Sequence, residues 1–358
     1  MAEDNRIRVL IVDDSVVVRL MLQQLIHEDP LLMVAGAEST GQAALNKLDA
    51  LRPDVVILDV EMPGLSGVET VAAIRVRAPR LPVIMFSSYT EDGAAVTIEA
   101  LSRGASDFVM KPSQTATADA AMTLVREQLL SKIKALGNIR RRPFINPTRE
   151  ADDSSSSWII PPKRSAIELV CLAASTGGPE ALELVLTALP ANFPVPIAIV
   201  QHMPPFFTKQ LAKRLAEKCA IRVREAQSGE SLEPGTALIA PGDFHLQVRR
   251  RDTRCYAITS AGPSENSCRP AADVLFRSAA EEFGNQALAV VMTGMGQDGL
   301  KGCEALKKAG GRVVIQDEAT SVVWGMAGSV SRAGLASKEL PIDKIAADVL
   351  RRVLEGRL

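Results

Sequence analysis

Short apolar runs recur along this 358-residue chain with amphipathic stretches between them, and that alternation restricts its fold more than any other feature. Residues 7–12, Ile-Arg-Val-Leu-Ile-Val, read as a buried strand, as do Val55–Leu58, Val83–Phe86 and Phe108–Met110. Val17–Ile26 and Gly67–Val76 have helical spacing, and Ser15 stands where an N-cap would open the first helix. Strands alternating with helical stretches predict βαβ units and a parallel sheet. This first unit is expected to span residues 5–136.

The pattern breaks once. Residues 137–164 hold Arg140-Arg141-Arg142, Pro143, Pro147, a serine run at 154–157 and Pro161-Pro162, which is the composition of a flexible linker. Trp158-Ile159-Ile160 is the apolar exception and is suited to docking on a neighbouring domain. From residue 165 to 358 the alternation resumes. Strands are expected at Leu169–Ala173, Ile197–Val200, Ile221–Val223, Ala237–Ile239, Ala287–Met292 and Val313–Ile315. Helices are expected at Glu180–Ala188, Phe207–Glu217, Asp273–Phe283, Leu300–Ala309 and Asp343–Leu354. The segment Phe244–Ser260 departs from this order. Its two β-rich runs, joined by Arg249–Arg254, read as a hairpin.

Composition bounds the partners. Hydrophobic residues make up 47% and charged residues 23%, as in soluble globular proteins, and the net charge of −1 offers no field for nucleic acid or an anionic membrane. No apolar run reaches the roughly 18 residues that span a bilayer. The start, Met-Ala-Glu-Asp-Asn, is acidic where a signal peptide would be basic. The five cysteines form no Cys-x-x-Cys pair, which suits free thiols in a reducing cytoplasm.

Ligands of an open parallel sheet bind beyond the carboxyl ends of its strands. In the first unit those ends carry Asp13 and Asp14, then Asp59, then Ser87, then Lys111. Three carboxylates at one edge repel one another unless a hard cation such as Mg²⁺ joins them. With the cation in place, one carboxylate can attack a phosphoryl group, and a lysine and a hydroxyl can hold its oxygens. This third of the chain resembles a two-component receiver domain. The matching pieces are Val-Asp-Asp-Ser at 12–15, the run from Asp59 to Gly67, Ser87 and Lys111-Pro112. The resemblance implies that Asp59 accepts the phosphoryl group and that Asp13, Asp14 and the backbone carbonyl of Glu61 hold Mg²⁺. It also implies that Phe108 is a switch residue that moves when Ser87 engages the phosphoryl group.

In the second unit, Leu169–Ala173 runs into Ala174-Ser175-Thr176-Gly177-Gly178-Pro179 and then a helical pattern. A serine on such a turn is exposed, and the glycines let backbone N–H groups approach an oxyanion. A serine N-cap or an anion nest would look the same. A nucleophilic serine needs a base. Of the three histidines, His27 lies in the first helix of the other unit and His245 opens the hairpin, whereas His202 follows a strand directly, as Ser175 does. Asp298 follows another strand and can orient the imidazole. The same loop, Gly294-x-Gly296-x-x-Gly299, also fits a dinucleotide fingerprint with Asp317 as its acid. That motif normally opens its domain, however, and here it comes late.

These residues carry a second resemblance. Residues 167–358 look like the catalytic domain of the chemotaxis protein-glutamate methylesterase family. The pieces are Ala-Ser-Thr-Gly-Gly-Pro at 174–179, Gln-His-Met-Pro at 201–204, Ala-Pro-Gly-Asp at 240–243, Arg-Pro-Ala-Ala-Asp at 269–273, Met-Thr-Gly-Met-Gly at 292–296, Asp298-Gly299 and Gln-Asp-Glu at 316–318. The chain departs from the family's usual pattern at Cys268, often histidine, and at Ala327, usually proline.

The expected fold class is therefore α/β: an N-terminal (βα)₅ flavodoxin-like receiver, then a doubly wound, mainly parallel hydrolytic domain with a β-hairpin insertion. The family implies Ser175 as nucleophile, His202 as base and Asp298 as its orienter. The Met295 N–H is implied as an oxyanion donor, and Thr176 as a support for His202. It implies methyl-accepting chemotaxis receptors as substrates, a chemotaxis histidine kinase as phosphodonor and a cytoplasmic site of action. A substrate as large as a receptor helix also leads to the expectation that the receiver inhibits by covering the active-site face.

Overall fold

The computed structural model describes residues 5–112, 118–141, 166–252, 254–355 and 357. Apart from residues 137–141, the expected linker lies outside them, and so does Trp158-Ile159-Ile160.

The first unit is five βα repeats. Its strands are β1 (Ile7–Val12), β2 (Leu32–Glu38), β3 (Val55–Asp59), β4 (Val83–Ser87) and β5 (Asp107–Met110). Its helices are α1 (Val16–His27), α2 (Gly41–Leu51), α3 (Gly67–Arg77), α4 (Glu91–Ser102) and α5 (Ala118–Arg141). The sheet runs β2-β1-β3-β4-β5, with every pair parallel. β3 and β4 are buried at every position, which is why they read as unbroken apolar runs rather than alternating ones. Caps set the helix starts: Ser15 accepts from the Val18 N–H, and Ser66 with Glu69 closes a capping box. α5 continues through Arg141, five residues past the boundary expected at residue 136. The charged Arg140 and Arg141 thus prolong a helix instead of opening a linker.

The second unit holds β6 (Leu169–Ala174), α6 (Gly178–Thr187), β7 (Ile197–Gln201), α7 (Phe207–Lys218), β8 (Arg222–Glu225), β9 (Ser231–Leu232) and β10 (Thr236–Ile239). It continues with β11 (His245–Arg251), β12 (Arg254–Ser260), α8 (Ala272–Phe283), β13 (Ala287–Val291), α9 (Leu300–Lys308) and β14 (Arg312–Gln316). It ends with α10 (Met326–Arg332), β15 (Lys338–Leu340) and α11 (Ile342–Leu354). Seven strands form one sheet in the order β15-β14-β13-β6-β7-β10-β8, all parallel. From β6 the chain winds outward through β7, then returns to β13 on the other side. The reversal leaves a crevice at the carboxyl ends of β6 and β13. β11 and β12 form the expected hairpin, and β9 adds a third antiparallel strand. The joining segment is shorter than expected, because Arg249, Arg250 and Arg251 pair with Tyr256, Cys255 and Arg254 as strand residues. Alternate exposure lets a strand carry such arginines on its outer side.

The two units pack against each other. Phe108 of β5 stacks on Phe207 of α7 with ring centroids 4.4 Å apart and planes 6° from parallel, a contact worth about 0.5–1.5 kcal/mol beyond its buried area. Tyr89 meets Phe206 at 5.4 Å, and Lys209 pairs with Glu91 at 2.8 Å. Among the described residues no helix is long and apolar enough to cross a membrane.

Candidate active site and acidic cluster

At the carboxyl edge of the first sheet, Asp13, Asp14 and Asp59 each place a carboxylate oxygen within 4.8 Å of the others. Lys111 reaches in at 2.8 Å from Asp59 and 3.2 Å from Asp13. Burial pushes the Asp59 carboxyl up to about 6, with Lys111 opposing the shift and Asp13 adding to it. Asp13 Oδ1 accepts from the Ser15 N–H at 2.9 Å, while the buried Oδ2 faces the Lys111 ammonium at 3.2 Å. Crowded hard oxygens of this kind fit a divalent cation such as Mg²⁺. The Glu61 amide donates to Asp59 at 3.3 Å, which brings that stretch of backbone beside the cluster. Ser87 is hydrogen-bonded within its own β4–α4 unit, where the Thr97 hydroxyl meets it at 2.7 Å. Phe108 is buried, as the stack on Phe207 requires.

The second sheet brings Ser175, His202 and Asp298 to one edge, after β6, β7 and β13 respectively. The Ser175 turn is tied to its neighbours by backbone. Its N–H donates to Thr293 O at 3.0 Å, its carbonyl accepts from Gln201 Nε2 at 2.9 Å, and the His202 N–H donates to Ala174 O at 3.2 Å. Gly294 has to be glycine, since a Cβ there would stand 2.8 Å from the Ser175 Cβ.

His202 Nε2 lies 2.7 Å from Asp298 Oδ2. Asp298 also accepts from the N–H groups of Ala272 at 2.6 Å, Asp273 at 3.1 Å and Gly299 at 3.0 Å, and from Asn266 Nδ2 at 2.9 Å. Burial alone would raise its pKa, but His202 and these donors hold it below the ordinary value. For His202 burial works downward, and the hydrogen bond and charge of Asp298 keep the ring above its ordinary value. With Nε2 facing the carboxylate, Nδ1 is the nitrogen left to accept a proton. His245 is a different case. Its Nδ1 accepts from the Ala271 N–H at 3.2 Å and its Nε2 donates to Pro263 O at 2.9 Å, so both ring nitrogens serve structure.

Two expectations need correction. The N–H groups of the glycines after Ser175 do not face an open oxyanion site. Gly178 donates to Ser175 O at 2.8 Å, and Gly177 donates to Ser106 O of the first unit at 3.1 Å. Thr176 does not support His202, because its hydroxyl donates to the Asp107 carboxylate of the first unit. Met295 lines the cleft, and its N–H has no protein acceptor among the described residues. Behind the loop, the Gly325 and Met326 N–H groups grip Gly294 O at 3.0 and 2.9 Å, so Ala327 stands one residue beyond that grip. Asp317 caps its own turn by accepting from the Thr320 N–H at 3.0 Å.

Ser175 and His202 share a cleft of about 570 Å³. Its far wall is the first unit: Phe108, Val109 and Met110 from β5, and Gln128, Ser131 and Lys132 from α5. Sequence reasoning did not single out Asp107, Ser106 or Asn266. A carboxylate inside a buried strand was the available signal for Asp107, which Lys132 neutralises at 2.8 Å. Asn266 lies in a polar loop and gave none.

Comparison with known proteins follows the same division. A family model described as CheB methylesterase matches residues 170–349, and one described as response regulator receiver domain matches residues 9–123. A protein-glutamate methylesterase/protein-glutamine glutaminase of Trichodesmium erythraeum is 43% identical over 97% of this chain and 99% of its own length. A protein of the same name from Nocardioides sp. is 46% identical over 98% of this chain and 96% of its own. The crystal structure of the Thermotoga maritima CheB methylesterase catalytic domain aligns at TM-score 0.51 and 42% identity, covering 52% of this chain and 98% of that one.

Proposed function

Since the chain belongs to the CheB methylesterase family, we propose that it hydrolyses glutamate methyl esters, and deamidates glutamines, on methyl-accepting chemotaxis receptors. It acts in the cytoplasm under the control of a chemotaxis histidine kinase. The observation that carries the reading is that His202, paired with the buried Asp298 at 2.7 Å, shares one strand-end cleft with Ser175.

Ser175 Oγ attacks the γ-carbonyl carbon of the ester as His202 Nδ1 takes its proton. Asp298, already hydrogen-bonded to Nε2, stabilises the imidazolium that forms. The Met295 N–H, which has no protein acceptor among the described residues, is the donor available to the oxyanion. Collapse breaks the bond to methoxide, which leaves as methanol with the proton from His202. Water, deprotonated by the same nitrogen, then attacks the acyl-enzyme and releases Ser175 and a glutamate side chain. With an amide substrate the leaving group is ammonia.

Asp59 is the phosphoryl acceptor, and Asp13, Asp14 and the Glu61 carbonyl would hold Mg²⁺ there. The cation, when bound, offsets the charge of the carboxylates and of an incoming phosphoryl group. Lys111 lies ready for a phosphoryl oxygen, and Ser87 reaches one only by leaving Thr97. The receiver residues that wall the cleft support steric inhibition, because a receptor helix could not reach Ser175 past them. Phosphorylation favours undocking, with Phe108 leaving its stack on Phe207.

Methanol release from methylated receptor membranes, with and without a small phosphodonor, tests the whole reading. Release that rises with the donor and disappears in Ser175→Ala is the expected result. Undiminished release from Ser175→Ala would overturn it.

A further inference from the structure

The triad leaves one neighbouring segment unused. Residues Glu265 to Cys268 form a turn that closes on itself, with Glu265 N–H to Cys268 O at 3.0 Å and Cys268 N–H to Glu265 O at 2.9 Å. Asn266 and Ser267 adopt left-handed backbone, at φ 52° and 60°. Arg277 of α8 clamps the turn by gripping the Glu265 carboxylate through both terminal nitrogens, at 2.7 and 2.6 Å. Left-handed non-glycine residues persist only where their surroundings hold them, and here a bidentate ion pair and two backbone bonds do so.

Two side chains of this turn reach the His202–Asp298 pair from different sides. Asn266 Nδ2 bridges two carboxylates, at 2.9 Å to Asp298 Oδ1 and 2.8 Å to Asp273 Oδ2. Asp273 is held in turn by the Gly302 N–H at 2.7 Å. Cys268 Sγ stands 3.7 Å from His202 Nδ1 and lines the cleft beside Ser175. We propose that this turn is a positioning element for the hydrolysis, in which Asn266 fixes the Asp298 carboxylate and Cys268 holds the His202 ring through Nδ1 until Ser175 takes its place. The inference rests on the reading of His202 as the base.

The chemistry of each group suits its place. The Asn266 amide spans two buried carboxylates as a neutral donor, where a lysine would compete with His202 for the charge of Asp298. A thiol is a weak donor, so it orients the ring in the docked enzyme and yields Nδ1 to the stronger serine hydroxyl. His202 is thereby fixed on both nitrogens and cannot swing away from Asp298.

The test uses the full-length protein, methylated receptor membranes and methanol release. Asn266→Ala is expected to lose about 10–100-fold in kcat with KM within about twofold, the mark of a displaced catalytic group. Asn266→Asp, of equal size but lacking the donor, gives the same loss and stands in should the alanine variant fail to fold. Cys268→Ser keeps kcat within about threefold, while Cys268→Val, similar in size with no donor, falls about tenfold. Loss in KM alone, or a valine variant as fast as the serine variant with Asn266→Ala at parental kcat, overturns the proposal. Ser175→Ala is run alongside. If it keeps its activity, the hydrolase reading has failed. If it is dead while the turn variants match the parent, only the role of the turn is refuted.

Discussion

The hydroxyl of Thr176 donates to the carboxylate of Asp107 across the boundary between the two units. The residue next to Ser175 is thus held by the receiver strand that carries Phe108. The neighbouring bond from Gly177 N–H to Ser106 O strengthens the tie, and Lys132 holds Asp107 in place at 2.8 Å.

This link gives a direct way to loosen the docked arrangement. Asp107→Ala removes the acceptor of a charge-assisted bond worth about 1.5–3 kcal/mol. Docking within one chain is effectively intramolecular, so a shift of about 1–3 kcal/mol changes occupancy roughly 5–150-fold. Methanol release by unphosphorylated Asp107→Ala is therefore expected to rise at least fivefold over the parent, toward the level of a fragment beginning near residue 165. That fragment should ignore phosphodonor. A fragment no faster than the unphosphorylated parent would refute steric inhibition.

Asp59→Asn is expected to abolish labelling by a small phosphodonor, and removal of Mg²⁺ should do the same to the parent. The amide lacks the nucleophilic oxygen, and without the cation the carboxylates around Asp59 repel an incoming anion. Acid-labile phosphate retained on the purified variant, measured by mass, is the result that would count against Asp59.

His202→Gln and His245→Gln separate chemistry from structure. Loss of a triad member costs about 10⁴–10⁶ in rate, so His202→Gln should lack measurable release while its unfolding midpoint stays near the parent's. His245→Gln removes two hydrogen bonds, one buried and one partly buried, each worth about 0.5–1.5 kcal/mol. Its midpoint should fall while kcat stays within about tenfold. Greater damage to kcat from the second variant would mean that the base has been misassigned.

Asp298→Asn should move the acid limb of the pH profile. The base acts only when neutral, so kcat/KM of the parent falls as pH drops through the pKa of His202. Burial lowers that pKa, and Asp298 raises it above the ordinary value. With the carboxylate gone, burial is no longer opposed by it, the neutral ring persists to lower pH and the limb shifts to the acid side. The plateau should drop by about 10⁴, as when a triad carboxylate is replaced by its amide. A limb that stays in place on a fragment lacking the receiver would show that another group sets it.

Much of this protein was legible from neighbouring residues alone. A strand buried on both faces is a continuous apolar run, and the polar residue that ends it is covalently next to it. Asp13, Asp59, Lys111, Ser175 and His202 could be placed at sheet edges for that reason, and the glycines after Ser175 marked a tight turn. Partners across the fold carry no such mark. His202 and Asp298 are 96 positions apart, and Asp107 and Thr176 are 69 apart. Only the order of strands brings β13 beside β6, and only the packing of the two units sets β5 against the Ser175 turn. The fate of each N–H and carboxylate followed from that packing, because a buried polar group takes whichever partner the surrounding backbone delivers. Sequence placed these side chains at the ends of their strands. Tertiary structure decided which nitrogen of His202 meets Asp298, that Thr176 answers to the receiver, and that Asn266 stands behind Asp298.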